Sequence, residues 1–192
     1  MQLGGYRGNV RDALTHVNAA DPASPDTFFR RNLPRTGLYD SASDTGQAAL
    51  ASGVMTSVPI WLRQGDVITN IAVRTGATAG ATITNQWFAL YDEAGALIGQ
   101  SADGTSAALA ANTTITKPLA SAYTVQRTGL YFVGLMVAAS TTPTLLGTVA
   151  APAIVTGERA LSQASGSSLT TTAPATIATP TAKQFVPYVV LT

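Results

Sequence analysis

"QWFALYDEAGALIGQ", Gln86 to Gln100, sets two adjacent carboxylates, Asp92 and Glu93, between two apolar runs. "FALY" and "ALIG" have the length and residue types of strands. "DEAG" between them has Asp at the entry, which binds local N–H groups, and Gly at the exit, which tolerates positive φ. The stretch predicts a hairpin, with Asp92 and Glu93 as turn residues. An acid/base pair would have to face itself across roughly 5 to 9.5 Å from different strands, a geometry that chain neighbours do not offer. "RQGD" before "VITN" and "SADGT" after "IGQ" carry Asp66 and Asp103 in turns of the same kind.

The hairpin belongs to a longer series. From Ser57 onward, nine short β-type runs follow one another with turn residues between them: "SVPIWLR", "DVITNIAVRTG", "ITNQWFALYD", "ALIGQSA", "NTTITKPL", "AYTVQRTG", "LYFVGLMVA", "TPTLLGTV" and "FVPYVVLT". "LYFVGLMVA" is apolar on both faces, as a central strand covered from two sides must be. Val67, Thr69, Ile71 and Val73 alternate with Ile68, Asn70, Ala72 and Arg74, yet both sets contain apolar members. Trp87 and Phe88 are successive, so a strand sends them to opposite faces, and one must enter a second layer or meet a partner subunit. No helical pattern of ten or more residues separates the runs, which points to antiparallel pairing. The expected fold is all-β, an antiparallel β-sandwich of jelly-roll type.

Composition agrees with one main domain. The 192 residues are 46% hydrophobic and only 11% charged, against a typical charged share of about 25%, so the solvent-facing side must be largely Thr, Ser, Ala and Gly. The formal net charge of +1 gives no basic excess for nucleic acid or an anionic membrane. No run approaches the roughly 18 apolar residues of a membrane-spanning helix. Absence of cysteine excludes disulfides, thiolate metal sites and cysteine nucleophiles. The opening "MQLGGYRGNVRDALTHVNAADP" brings in Arg7, Arg11 and Asp12 before an apolar core of a secretory signal could form, so synthesis in a cytoplasm is expected.

Charge divides the chain. Residues 1–40 hold Arg7, Arg11, Arg30, Arg31, Arg35 and four aspartates, whereas the other 152 residues hold six basic and six acidic side chains. "GNVRDALTHVN" spaces Val10, Leu14 and Val17 as one narrow stripe of a short helix that ends near "ADPASPD". "TFFRRNLPRTGLYD" shows no sustained period. Residues 1–40 therefore read as an N-terminal arm, 41–56 as a linker and 57–192 as the β-sandwich domain. Such an arm buries too little apolar surface to fold alone but can order on a neighbour, with Phe28 and Phe29 as apolar anchors and Arg30, Arg31 and Arg35 pairing with carboxylates. A tail that packs back on its own domain is the competing reading. Near the other end, Ser162 to Lys183 is rich in Ser, Thr, Ala and Pro, too polar for core, and predicts a long surface loop before a last strand.

Catalytic patterns lack their parts. His16 is the one histidine and lies in the arm; GxSxG, HExxH and the phosphate-binding loop motif are missing. Asp66, Asn70, Asp92, Glu93 and Asp103 have no spacing that would make a calcium loop. The expectation is no enzyme, no cofactor and no metal.

Four segments in order, "VPIWLRQGDVITNIAVRTG", "QWFALYDEAGALIGQSADGTSAAL", "ITKPLASAYTVQRTGLYFVGLMVAAS" and "TPTLLG", resemble a β-rich module of virion structural proteins of tailed bacteriophages of actinobacteria, of the minor tail or head-associated kind. The likeness spans about Ser57 to Gly147 and rests on turn glycines, a strand Trp and "TGLYFVG", which are fold motifs without catalytic residues. It implies a non-enzymatic virion component, a decoration or minor tail protein bound to capsid or tail subunits through its arm. A homo-oligomer, most simply a trimer, is expected, because such modules sit on symmetric positions. The alternative is a carbohydrate-binding module that reads host-surface glycan through Trp61, Trp87, Tyr91, Tyr123 or Tyr131 and the loop aspartates.

Overall fold

The computed structural model describes residues 30–33 and 47–192. Among these residues every regular element is a strand and every strand pairing is antiparallel. The short helix expected around Val10 to Val17 lies outside them. The strands are β1 (Gln47–Ala49), β2 (Met55–Leu62), β3 (Val67–Arg74), β4 (Ala81–Tyr91), β5 (Leu97–Gln100), β6 (Thr114–Thr124), β7 (Gly129–Thr141), β8 (Thr144–Val149), β9 (Gln163–Ser165), β10 (Thr181–Ala182), β11 (Phe185–Pro187) and β12 (Val189–Leu191). β1 and the start of β2 place paired structure inside the stretch read as linker. β6 joins two of the expected runs into one strand, and the last run is broken at Tyr188.

The pairing is nested. β4 pairs with β5, β3 with β6, β2 with β7 and β1 with β8, so one long hairpin closes from the Asp92 turn outward. β7 also pairs with β4, which gives a six-stranded sheet in the order β10-β9-β2-β7-β4-β5. β12-β3-β6 and β1-β8-β11 form two three-stranded sheets, and an isolated bridge from Thr75 to Leu145 links β3 to β8. Beyond that bridge the C-terminal strand changes partner: β11 lies on β8, Tyr188 donates its N–H to the Leu146 carbonyl at 2.8 Å, and β12 then lies on β3.

The main core lies on the inner face of the six-stranded sheet. Val58, Ile60 and Leu62 of β2, Phe88 and Leu90 of β4, and Tyr131, Val133, Leu135 and Val137 of β7 meet Ile68, Ile71 and Val73 of β3 and Val189 and Leu191 of β12. The mixed pattern of β3 has its cause in a bulge between Ile68 and Asn70, which brings Ile68 and Ile71 to the same face. The amides of Thr69 and Asn70 at that bulge both donate to the Thr192 carbonyl, at 2.7 and 2.9 Å. A second bulge, between Ile83 and Asn85, turns Ile83 inward in the same way.

The outer face carries a second core of Met55, Trp87, Ala89, Tyr91, Phe132 and Met136, closed by Ala173 with Leu169 and Ile177 beside it. The Ser/Thr/Ala/Pro stretch is thus more than the surface loop expected from its polarity. It runs across the sheet as a cover and bonds through its backbone: Trp87 Nε1–H donates to the Thr170 carbonyl at 2.7 Å and the Tyr91 hydroxyl to the Pro174 carbonyl at 3.0 Å. Gln100 holds the Ala173 N–H at 2.6 Å and reaches the Thr171 carbonyl at 3.1 Å. Trp87 and Phe88 do point to opposite faces, and both are buried by their own chain. Their divergence therefore carries no argument for a partner subunit.

Candidate functional site

Phe28, Phe29 and Arg35 lie outside the described residues. Arg30 and Arg31 are inside them and are woven into the domain: Arg31 bridges Val190 on the edge of β12 away from β3, and Leu191 N–H donates to the Arg30 carbonyl at 2.8 Å. Asn32 closes the strap, donating to the Pro187 carbonyl at 2.7 Å and accepting Val189 N–H at 2.8 Å. Leu33 packs against the main core. The Arg30 guanidinium meets Asp66 at 3.0 Å.

Of the loop carboxylates Asp66, Asp92, Glu93, Asp103 and Glu158, all but Glu93 accept backbone N–H groups. Asp66 also accepts Arg63 N–H at 2.9 Å; Asp92 accepts Ala96 N–H at 2.8 Å in a turn where Gly95 has φ +81, as the hairpin reading requires. Glu158 accepts Ile154 N–H at 2.9 Å. Asp103 accepts Gln86 N–H at 2.8 Å and the Asn85 amide at 2.8 Å, beside the β4 bulge. Burial alone would raise the Asp103 pKa, but hydrogen bonds from Thr105, Asn85 and Gln86 and the charge of Lys117 together hold it below the usual carboxylate value. Burial lowers that of Lys117, opposed by Asp103, and its ammonium lies 5.8 Å from the Phe88 ring centre. Among the described residues no group of three or more His, Asp or Glu side chains is placed to hold a metal ion. His16 is not among them.

Aromatic exposure is decided by the cover. Trp87 and Tyr91 are buried beneath it, and burial pushes the Tyr91 phenol pKa up. Tyr131 points into the main core, its hydroxyl on the Arg127 carbonyl at 2.9 Å, and Tyr123 is tilted against it at 6.4 Å. Trp61 alone of the five stays open, at 47% exposure. It faces outward from β2 opposite Leu130. Leu130 borders a depression of about 400 Å³ lined by Asp92, Glu93, Arg127, Thr128 and Gly129.

A second exposed feature is the loop between β8 and β9. Residues 151–159 are exposed without interruption, with Ile154 at 88% and Val155 at 69%. Both charges of the loop are turned to its own chain, since Glu158 caps the tip and the Arg159 guanidinium lies 5.4 Å from the Phe132 ring centre. Sequence reasoning passed over it. Its signal was the apolar "APAIV" directly after a strand, with no alternation to seat it on a sheet.

No protein-family model matches the chain, and no curated protein matches it.

Proposed function

We propose that the chain is a non-enzymatic structural component of a tailed-phage virion, a jelly-roll sandwich attached to capsid or tail as a decoration or minor tail protein. The virion assignment rests on the resemblance over Ser57 to Gly147. The nested pairing of β1 with β8 through β4 with β5 is the pairing of a rolled hairpin, which supports the jelly-roll reading. The observation that carries a role in assembly is the Ile154–Val155 loop, an apolar tip on a low-charge domain, stiffened by Glu158 and left uncovered among the described residues. Exposed apolar groups of this kind gain free energy when a partner covers them. Phe28 and Phe29 of the arm would supply a second anchor, and a homotrimer on a symmetric virion position would repeat both.

Rebinding to particles stripped of the native protein tests the proposal. Full-length protein should rebind, and Ile154→Ser with Val155→Ser, or Phe28→Ala with Phe29→Ala, should each lower occupancy at unchanged thermal stability. Because residues 30–32 bond to the C-terminal strands, a truncation that separates attachment from folding must stop before Arg30; removal of residues 1–29 takes away Phe28 and Phe29 and meets that condition. Rebinding at full strength by the protein carrying all four substitutions would overturn the assignment of attachment to these two elements.

A further inference from the structure

We infer that the depression between the β4–β5 turn and the β6–β7 connection, together with Trp61, is a binding site for a neutral glycan. The inference is independent of the virion reading and rests on this corner of the outer face alone.

The site is built where the cover ends. The outer face carries Pro59, Phe132, Tyr91 and Leu97 in one cross-strand row, and Trp61 with Leu130 in the next. The cover protects the first row through Ala173, Pro174 and Ala175 and then leaves along the edge of β5, where Leu97 N–H donates to the Ala175 carbonyl at 2.9 Å and Ile177 N–H to the Gly95 carbonyl at 2.9 Å. Trp61 stays outside it, and Leu130 packs at the margin of the second core. Leu130 lines the depression, and Trp61 is its directly paired neighbour on the same sheet face, where Cβ atoms stand about 4.5–5.5 Å apart, so the exposed indole borders the depression beside Leu130.

Polar groups of both kinds line the depression beside Leu130 and Tyr131. Glu93, Arg127 and Thr128 are exposed on its rim, and Glu93 is the one loop carboxylate after Asp66 with no backbone amide to hold. The rim is held in place: Thr128 Oγ1 accepts Gln64 N–H at 2.9 Å, Tyr131 anchors the Arg127 carbonyl, and Asp92 fixes the opposite turn. A volume of about 400 Å³ falls within the range of about 300–1,000 Å³ usual for small-ligand sites. The ligand class follows from the pairing of groups. A pyranose ring offers an apolar C–H face for the indole and hydroxyls that donate to Glu93 and accept from Arg127. An anionic sugar would meet Asp92 and Glu93, and a cation would meet Arg127, so neutrality fits best.

The test uses the full chain and tryptophan emission, since Trp87 is already buried and Trp61 alone can respond to a ligand at this corner. Titration with neutral gluco-, manno- and galacto-configured tetrasaccharides should give a saturable blue shift with at least one of them. Trp61→Ala should weaken that binding about tenfold or more, read by calorimetry, as loss of an aromatic anchor does. Glu93→Gln and Arg127→Ala should each weaken it several-fold without moving the melting temperature. The inference is overturned if no neutral tetrasaccharide binds, if Trp61→Ala binds as the parent does, or if only a sialylated tetrasaccharide binds. Cleavage of the bound sugar would equally overturn a binding-only site.

Discussion

Trp87 and Asp103 show how single side chains set this architecture. Trp87 is fully buried on the outer face, and its indole N–H reaches the one carbonyl the cover presents to it. Trp87→Ala should cost about 3–5 kcal/mol in denaturant unfolding, as large aromatic deletions do, whereas Trp87→Phe should cost less because only the N–H contact and part of the ring are lost. Gly134 has a matching constraint. A Cβ there would come within 2.7 Å of Met55 Sδ and 3.0 Å of the Tyr91 ring, so Gly134→Ala should lower the melting temperature by overpacking. Asp103 acts through charge. Its folded pKa lies below the ordinary value of 3.8, so its stabilisation is complete above that value and is lost as pH falls through the lowered one. Asp103→Asn should destabilise at neutral pH by about 1 kcal/mol, and the gap to the parent should narrow below about pH 3.8 in thermal melts.

Among elements, the cover and the β4–β5 hairpin behave differently. The hairpin turn is local: Asp92→Asn with Glu93→Gln keeps an acceptor for Ala96 N–H and should change stability by less than about 1 kcal/mol. The cover depends on the sheet beneath it. Gln100 holds two of its backbone groups, so Gln100→Ala should speed hydrogen exchange at Ala173 while the amides of β7 keep their protection. Equal acceleration in β7 would show the cover and sheet to be one cooperative unit. The hairpin was legible in residues 86–100 because its turn chemistry and both strands are neighbours in sequence. The cover was not. Its side chains are small and polar, and what it contributes is a row of carbonyls and amides in register with Trp87, Tyr91 and Gln100, which no composition reveals.

For the whole molecule, the nested pairing ties segments far apart in sequence, the strap and β1 on one side and the C-terminal strands on the other, into one set of sheets. β1 meets β8 across almost a hundred residues, and β12 and the strap at 30–33 fill the space where β8 leaves β3. Asn32→Ala removes both side-chain bonds between strap and C-terminal strand and should cost about 1–3 kcal/mol, measured by urea unfolding with unchanged slope. Local pattern alone determined that the described residues are all-β, that β7 is covered on both faces, that Asp92 and Glu93 form a turn and that Trp87 and Phe88 diverge, because period and turn chemistry act between neighbouring residues. Tertiary structure decided the rest. Which segment covers Trp87, why β3 is apolar in both phases, where Arg30 finds a carboxylate and why Trp61 stays open all depend on residues tens of positions apart meeting in one register, and short-range patterns carry no record of register between distant strands.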